Sequence, residues 1–182
     1  CLIGRLLGIR IELFELNAIP GRAIKFLAPF SSVVYVCFSQ TKQFFKNKRC
    51  VLTSYPLRFN NQQSFAPRKK ILDSLGLSDS KKTIFVLGGS QGSQFINKTL
   101  QNLFKEHPQL KQSTQLIHQT GLQENEALKS FYKQNGIEAY VFGYYQNPSL
   151  LYPSADVVVC RAGAGTLFET LFFKKKCIII PL

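Results

Sequence analysis

The sequence contains no methionine, and its first residue is Cys1. The last six residues, 177–182, read CIIIPL, an apolar run without a polar tail. From both features we expect the chain to be an internal piece of a longer protein. Its 182 residues are enough for one compact domain or two small ones, and a hydrophobic content of 45% indicates a packed globular structure.

The cysteines never occur in a Cys-x-x-Cys spacing, and all five stand at irregular intervals. This pattern favours a reducing cytoplasm over a disulfide framework. The sequence also lacks an Asp-x-Asp motif and has only two histidines, His107 and His118. We therefore expect no metal site and no cofactor. We interpret His107 as a solvated residue near a helix end, and we leave open a ligand-proximal role for His118.

Long apolar runs are absent as well, since none reaches the about 20 residues that a membrane-spanning helix needs. The longest candidate, residues 23–39, is interrupted by Lys25 and Pro29. We therefore predict no transmembrane segment in this sequence.

Acidic residues are scarce: ten Asp and Glu stand against 23 Lys and Arg, which gives a net charge of +13. Such an excess attracts anions, including nucleic acid, acidic lipid surfaces and phosphorylated small molecules. A nucleic-acid-binding protein would show a continuous basic stripe with aromatic platforms. Here the basic residues are scattered, with short runs only at 68–70 and 174–176, so we expect no nucleic-acid partner.

Composition divides the chain into three parts. Residues 1–57 hold short apolar segments separated by Gly and Pro, and residues 58–80 are polar and basic, as in a junction or linker. From residue 81 to residue 182, apolar runs rich in β-branched residues alternate with segments of helical period. This alternation predicts an α/β fold with parallel, doubly wound sheets.

The individual elements follow from the same patterns. Strands are predicted at 31–39, 49–58, 82–89, 113–121, 138–145, 155–165 and 177–182. Helices are predicted at 68–77, 93–106, 122–136, 147–154 and 166–176, the last of them with a basic final turn.

Two glycine-rich turns each connect a predicted strand to a predicted helix. The first is GGSQG at 88–92, and the second is AGAG at 162–165. In an open parallel sheet such turns lie at the carboxyl edge, where helix N-termini favour a bound diphosphate. The alternative is a pair of tight turns without a ligand. Neither turn matches a Walker A or GxGxxG pattern, which disfavours a P-loop nucleotidase or a standard dinucleotide enzyme.

Glu169 lies four residues after Gly165, in what the pattern predicts to be the first turn of the last helix. A carboxylate at this edge can accept hydrogen bonds from both hydroxyls of a ribose. It can equally serve to compensate the charge of the helix N-terminus, which contributes about 0.3–1 kcal/mol. The sequence leaves both roles open.

Five motifs occur in the order and spacing of one known family. They are ELNAIPG at 15–21, YPLR at 55–58, GGSQG at 88–92 followed by Asn97, HQTG at 118–121, and ADVVVCRAGAGTLFE at 155–169. Together they resemble the MurG family of bacterial N-acetylglucosaminyltransferases over nearly the whole chain.

The resemblance implies a GT-B fold of two Rossmann-like domains, of which this chain holds parts of both. Residues 1–57 would end the acceptor-side domain, 58–80 would form the junction, and 81–182 would be a partial UDP-sugar-binding domain. The implied reaction is inverting transfer of N-acetylglucosamine from UDP-N-acetylglucosamine to lipid I, which forms lipid II in peptidoglycan synthesis for cell-wall growth, shape and division. The implied location is the cytoplasmic face of the bacterial inner membrane, with peripheral binding to its anionic surface.

The same resemblance implies roles for particular residues. The turn at 88–92 would approach the diphosphate, Arg58 would pair with phosphate, 163–168 would wrap the nucleotide, and Glu169 would hold the ribose. A backbone amide at Tyr145 would face uracil, and Asn17 would reach the sugar. The implied binding residues are Asn17, Arg58, Gly88, Gly89, Ser90, Gln91, Gly92, Tyr145, Gly163, Ala164, Gly165, Thr166, Leu167, Phe168 and Glu169.

Three departures from the family pattern limit these implications. Phe14 and Leu16 stand where the family has His and Gln, and Tyr55 replaces an Asn. A phenyl ring cannot transfer a proton, so no catalytic base is assigned. The family's amino-terminal glycine-rich loop and its Gln-rich donor segment are missing, and we expect no transferase activity from the 182 residues alone. Another nucleotide-sugar enzyme of GT-B fold, such as a glycolipid glycosyltransferase or an epimerase, and a decayed gene product remain alternatives.

Overall fold

The structure is a computed structural model that describes residues 2–57, 59, 64–89, 91–121 and 125–181, with only the backbone at Asn125. The chain forms two compact units, residues 1–58 and 59–182. Each unit is built on its own parallel sheet. Among the described residues, no helix combines the length and the apolar character that crossing a bilayer requires.

The first unit has a three-stranded parallel sheet in the order β1-β2-β3. Its core contains Leu13 from β1, Val34 and Val36 from β2, and Ala28 and Phe45 from the two 3-10 helices. We did not predict β1, because its four residues, ELFE, begin and end with glutamate, which is depleted in strands, and so give no alternating strand pattern. The elements are α1 (Leu2–Leu6), β1 (Glu12–Glu15), α2 (Arg22–Leu27), a 3-10 helix (Ala28–Phe30), β2 (Val33–Val36), a 3-10 helix (Ser39–Phe45) and β3 (Cys50–Leu52).

The second unit has a five-stranded sheet in the order β6-β5-β4-β7-β8, and every neighbouring pair is parallel. The predicted alternation of strands and helices is confirmed across the described residues of this unit. The elements are α3 (Arg68–Ser74), β4 (Lys82–Leu87), α4 (Gln94–Glu106), α5 (Leu110–Ser113), β5 (Thr114–Gln119), α6 (Asn125–Gln134), β6 (Ala139–Phe142), a 3-10 helix (Pro148–Ser154), β7 (Val157–Arg161), α7 (Ala164–Phe172) and β8 (Lys176–Ile180).

Both faces of this sheet are covered, which explains the consecutive apolar residues at 84–87 in β4 and 157–160 in β7. Consecutive residues of β4 point to opposite faces, so Phe85 packs with Tyr152 in one core while Val86 packs with Ile96 in the other. Helix α3 contributes Leu72 to the first of these cores. The part of the chain that we expected to be a junction therefore includes a helix that belongs to the second unit.

Arg68 fastens α3 to the sheet. Its guanidinium forms ion pairs with Asp79 and Asp156, both at 3.0 Å, and donates to the carbonyl oxygen of Lys81 at 2.9 Å. Asp156 in turn accepts the backbone N–H of Thr83 at 2.8 Å, at the start of β4. This network joins the amino ends of β4 and β7 to the helix that precedes them.

Helix α7 differs from the prediction at both ends. It begins at Ala164, two residues early, because Gly163 serves as its N-cap. It ends at Phe172, and Lys174 then adopts a positive φ of 51° before Lys176 begins β8. The basic final turn that we predicted for this helix is therefore wrong.

His118 lies in the core, not at the ligand edge. Its side chain is fully buried on β5, and Nδ1 lies 2.9 Å from the hydroxyl oxygen of Tyr132 on α6. Burial lowers the pKa of His118 to about 3. This position contradicts the ligand-proximal role that the sequence left open.

We predict that His118 makes the second unit sensitive to mild acid. An unfolded histidine has a pKa of about 6.5, so below that pH His118 becomes protonated in the unfolded chain while it stays neutral in the folded chain. The free energy of unfolding should fall by about 2 kcal/mol between pH 6.5 and pH 5 from this residue alone. Urea unfolding followed by circular dichroism at pH 7, 6 and 5 measures the slope.

The matched comparison is His118→Gln against His107→Gln, since His107 is exposed. The first substitution should flatten the dependence of unfolding free energy on pH, and the second should leave it as in the wild type. Identical slopes in all three proteins would contradict the assignment.

Candidate functional site

The strand order of the second unit reverses between β4 and β7. The chain proceeds from β4 outward through β5 and β6 on one side, and then returns to add β7 and β8 on the other. Leu87, the last residue of β4, pairs with Cys160 of β7, so the segments after both strands begin side by side at the carboxyl edge. In doubly wound sheets this point of reversal is where ligands bind.

The first turn, residues 88–92, packs tightly against the end of β5. A Cβ atom at Gly92 would lie 2.2 Å from the carbonyl oxygen of Thr120, and one at Gly88 would lie 2.9 Å from the backbone nitrogen of Ser93. Gly92 also has a positive φ of 77°. Only glycine fits at these two positions.

The opposite side of this turn is open. Gly89 has a φ of 89°, and a Cβ there would meet nothing within 4 Å. Gln91 is exposed, and Ser90 lies outside the described residues. The backbone at Gly89 is therefore accessible to a ligand.

The HQTG segment and Asn97 hold this turn on the side that faces the end of β5. Gly88 donates its N–H to the carbonyl of Gln119 at 3.3 Å, and the buried Asn97 side chain donates to the carbonyl of Thr120 at 3.3 Å. A Cβ at Gly121 would lie 2.6 Å from the carbonyl oxygen of Gln91. These motif residues shape the backbone of the first turn.

Arg161 connects the two turns. Its Nη1 donates to the Oγ of Ser93 at 3.1 Å, and Ser93 is the N-cap of α4, where it also accepts the N–H of Ile96 at 3.4 Å. The Nε of Arg161 is buried and, among the described residues, has no hydrogen-bond partner. In the sequence, Arg161 belongs to one of the five motifs, but we assigned it no role. Ser93 could have been recognised as an N-cap, because it is a serine directly before a segment of helical period.

The second turn is shorter than we predicted. Only Ala162 and Gly163 precede α7, so Gly165 lies inside the helix, together with Thr166, Leu167 and Phe168. Gly163 is exposed, and a Cβ there would meet nothing within 4 Å. Two helix N-termini, α4 and α7, and one guanidinium thus lie at this edge, an arrangement that favours an anion.

Glu169 is the sixth residue of α7 and lies in its second turn, so its placement in the first turn is wrong. The side chain is half-buried. It lies within electrostatic reach of the hydroxyl of Tyr152, whose pKa is raised by burial and then by this carboxylate. Leu167 packs partly against the first core.

Tyr145 follows β6 at the same edge of the sheet. Its ring packs against Phe142 with the centroids 5.4 Å apart, and it is half-buried beside the first core.

Asn17 lies in the first unit, where Glu15 fixes the loop that carries it. The Oε1 atom of Glu15 accepts both the N–H and the Nδ2 of Asn17, at 2.9 and 3.1 Å, and Oε2 accepts the N–H of Gly21 at 3.0 Å. Thr41 donates to the carbonyl of Ala18 at 2.8 Å. Glu15 is only 3% exposed, and we assigned it no role although a glutamate at the end of an apolar segment was a usable signal.

Phe14 is 56% exposed and stacks on Tyr35, with ring centroids 4.6 Å apart. Arg58 lies outside the described residues. Among the residues that the structure describes, no three His, Cys, Asp or Glu side chains come together as a set of metal ligands.

Residues 83–182 match the model of the glycosyltransferase family 28 C-terminal domain. A UDP-N-acetylglucosamine–N-acetylmuramyl-(pentapeptide) pyrophosphoryl-undecaprenol N-acetylglucosamine transferase of Myxococcus xanthus is 33% identical over 179 residues, covering 97% of this chain and 44% of the relative. The protein of the same name from Protochlamydia amoebophila is 35% identical over 184 residues, covering 99% and 47%. The chain spans about half the length of the curated relatives it matches.

Solved structures give a consistent result. The crystal structure of MurG from Acinetobacter baumannii aligns with a TM-score of 0.68 at 27% identity and covers all of this chain and 48% of that one. Anabaena HepE, solved with UDP and glucose, aligns with a TM-score of 0.61 at 13% identity over 97% of this chain and 54% of that chain, which shows the fold alone. The predicted fold class, α/β of GT-B type, is confirmed.

We predict that Gly92→Ala lowers the free energy of unfolding by at least about 2 kcal/mol, because it combines a clash with backbone and a disfavoured φ. Gly163→Ala is the matched control, since φ is −76° and the added methyl meets open space. It should lower the unfolding free energy by no more than about 1 kcal/mol, the cost of a poorer N-cap residue. Urea denaturation of both variants measures the difference, and equal stabilities would contradict the packing described for the first turn.

Proposed function

Because the chain belongs to glycosyltransferase family 28, we propose that it is part of an inverting N-acetylglucosaminyltransferase. The donor is UDP-N-acetylglucosamine, the acceptor is lipid I, and the product is lipid II of peptidoglycan synthesis. The observation that carries the proposal is the pairing of β4 with β7, which sets the two glycine turns side by side. The transferase names of relatives matched along nearly the whole chain support the choice of substrates.

The donor diphosphate binds at the open backbone of Gly89 and Gly163. There the N-termini of α4 and α7 and the guanidinium of Arg161 offset its negative charge. The remaining residues of 88–92, Ser90 among them, complete this cradle, and Arg58 pairs with phosphate. Residues 163–168 line the nucleoside, and Glu169 accepts the ribose hydroxyls.

The reaction itself is a displacement at the anomeric carbon of the donor sugar. A hydroxyl of the acceptor sugar attacks, the bond to the diphosphate breaks, and UDP leaves with inversion of configuration. Charge develops on the departing diphosphate, where helix N-termini and Arg161 stabilise it most. Asn17 orients the sugar, Tyr145 offers its backbone amide to uracil, and the acceptor proton passes to a base other than residue 14, since Phe14 cannot accept it.

We predict that Glu169→Gln weakens UDP binding to the 182-residue chain by roughly 1–3 kcal/mol, because the ribose hydroxyls lose a charged acceptor. Glu106→Gln, at the exposed end of α4, should leave the affinity unchanged. Calorimetric titration with UDP measures both. Equal affinity in the wild type and Glu169→Gln would remove the ribose role, and a wild type that binds no UDP at millimolar concentration would remove the donor site.

Peripheral binding to the anionic cytoplasmic face of the inner membrane is the second part of the proposal. Residues 16–72 contain no Asp or Glu. Within them, the outer face of α2 carries Arg22, Lys25 and Phe26, while Ile24 and Leu27 on its other face pack into the core. The outer face thus combines cations with an aromatic side chain.

Two neighbouring rings extend this surface. Phe26 is 64% exposed and its ring lies 6.1 Å from that of Phe30, and the Nζ of Lys25 lies 4.9 Å from the ring centroid of Phe44. At a membrane surface, cationic side chains bind the anionic headgroups and exposed aromatic rings insert at the boundary between headgroups and acyl chains.

We predict that the chain co-sediments with phosphatidylglycerol-containing vesicles at low salt and is released as salt rises. The double variant Lys25→Gln/Phe26→Ser should sediment less. Its control, Phe95→Ser/Lys98→Gln, removes one exposed ring and one charge from α4 and should sediment like the wild type. Absence of wild-type sedimentation at low salt would contradict the membrane surface, and equal losses in both double variants would contradict its location.

A further inference from the structure

Tyr152 is a buried residue for which the donor site as described above has no use. It lies in the 3-10 helix Pro148–Ser154 and is fully buried in the first core. Its ring stacks on Phe173 with centroids 5.0 Å apart and planes 6° apart, and it meets the edge of Phe85 at 5.2 Å. The ring is therefore fixed from two sides.

The stack determines which face of α7 the tyrosine meets. Phe173 is the C-cap of α7 and donates its N–H to the carbonyl of Glu169 at 3.0 Å, one helical turn earlier. Residues four apart lie one above the other on the same face of a helix. Tyr152 is thus held against the face of α7 that carries the Glu169 side chain.

The hydroxyl of Tyr152 needs a partner on this face. Within the described part of the chain, no group lies in hydrogen-bond geometry with this hydroxyl, although Glu169 and Thr170 are both close enough to interact with it electrostatically. A buried hydroxyl left without a partner costs about 1–3 kcal/mol. Thr170 already donates to the carbonyl of Thr166 at 2.7 Å, and the carboxylate, being charged, is the stronger acceptor.

We propose that Tyr152 is a positioning residue: its hydroxyl donates to one oxygen of Glu169 and leaves the other oxygen directed at the ribose. This inference rests on the proposed donor site. A free glutamate side chain loses rotamer freedom when a ligand orders it, and a fixed phenol removes part of that cost before binding. Hydrogen bonds of this kind are commonly long without the ligand and shorten when it binds.

The consequence is specific to the sugar of the nucleotide. If Tyr152 acts through Glu169, its contribution to binding falls when one of the ribose hydroxyls that Glu169 accepts is missing. UDP and 2′-deoxy-UDP differ in one of those hydroxyls and in nothing else. The ratio of their affinities therefore separates the positioning role from any effect on folding, because a folding defect weakens the binding of both nucleotides equally.

The test is calorimetric titration of the 182-residue chain with UDP and with 2′-deoxy-UDP. The wild type should bind UDP about tenfold more tightly than 2′-deoxy-UDP, because the deoxy nucleotide lacks one hydrogen bond to the carboxylate. Tyr152→Phe should reduce that preference to less than about threefold, with a smaller loss for the deoxy nucleotide, which keeps only its 3′ hydroxyl for Glu169. Tyr132→Phe is the matched control, since this buried tyrosine bonds His118 and packs in the other core, and it should keep the preference.

A double-mutant cycle completes the experiment. Glu169→Gln should remove the preference, and adding Tyr152→Phe to it should change nothing further, because the tyrosine then has no carboxylate to hold. Full preference retained in Tyr152→Phe, with loss in Glu169→Gln, would overturn the positioning role and leave the donor site intact. A wild type without preference for UDP would overturn the ribose role of Glu169 and the positioning role with it.

Discussion

The pairing of β4 with β7 is the constraint on which the candidate site depends. These strands are separated by about 70 residues of sequence, yet four consecutive residue pairs align them in parallel. The register places Leu87 opposite Cys160, so the first turn and Arg161 begin at the same level of the sheet. The bond from Arg161 to Ser93 then carries this alignment into the N-terminus of α4. A shift of register would separate the two turns and turn each side chain of β7 to the opposite core.

The residues that identify the family divide into two physical roles. Gly88, Gly92, Gly121 and Asn97 are committed to one another through close backbone contact and buried hydrogen bonds, and they hold the shape of the first turn. The backbone at Gly89, in contrast, is exposed on the open side of this turn. The first group limits which side chains fit, and the second leaves backbone groups available to a ligand.

Much of the second unit could be predicted from its sequence, because continuous apolar strands and amphipathic helices carry strong periodic signals. The order of the strands could not, since it depends on which strand β7 pairs with. The start of α7 was misplaced because glycine at 165 is read as a turn residue, whereas a helix tolerates it in its first turn once Gly163 supplies the cap. The location of His118 was also beyond local patterns, because its partner Tyr132 comes from a helix that packs on the sheet.

Among the described residues, the side chains that hydrogen-bond the loop at 16–21 are those of Glu15 and Thr41, not those of Phe14 and Leu16. Glu15 accepts hydrogen bonds from the backbone and side chain of Asn17 and from the N–H of Gly21, and Thr41 of the 3-10 helix Ser39–Phe45 donates to the loop, while Phe14 stacks on Tyr35. Since the hydrocarbon side chains of Phe14 and Leu16 make none of these hydrogen bonds, we expect replacements there to change the chemistry of this surface while Glu15 continues to hold Asn17.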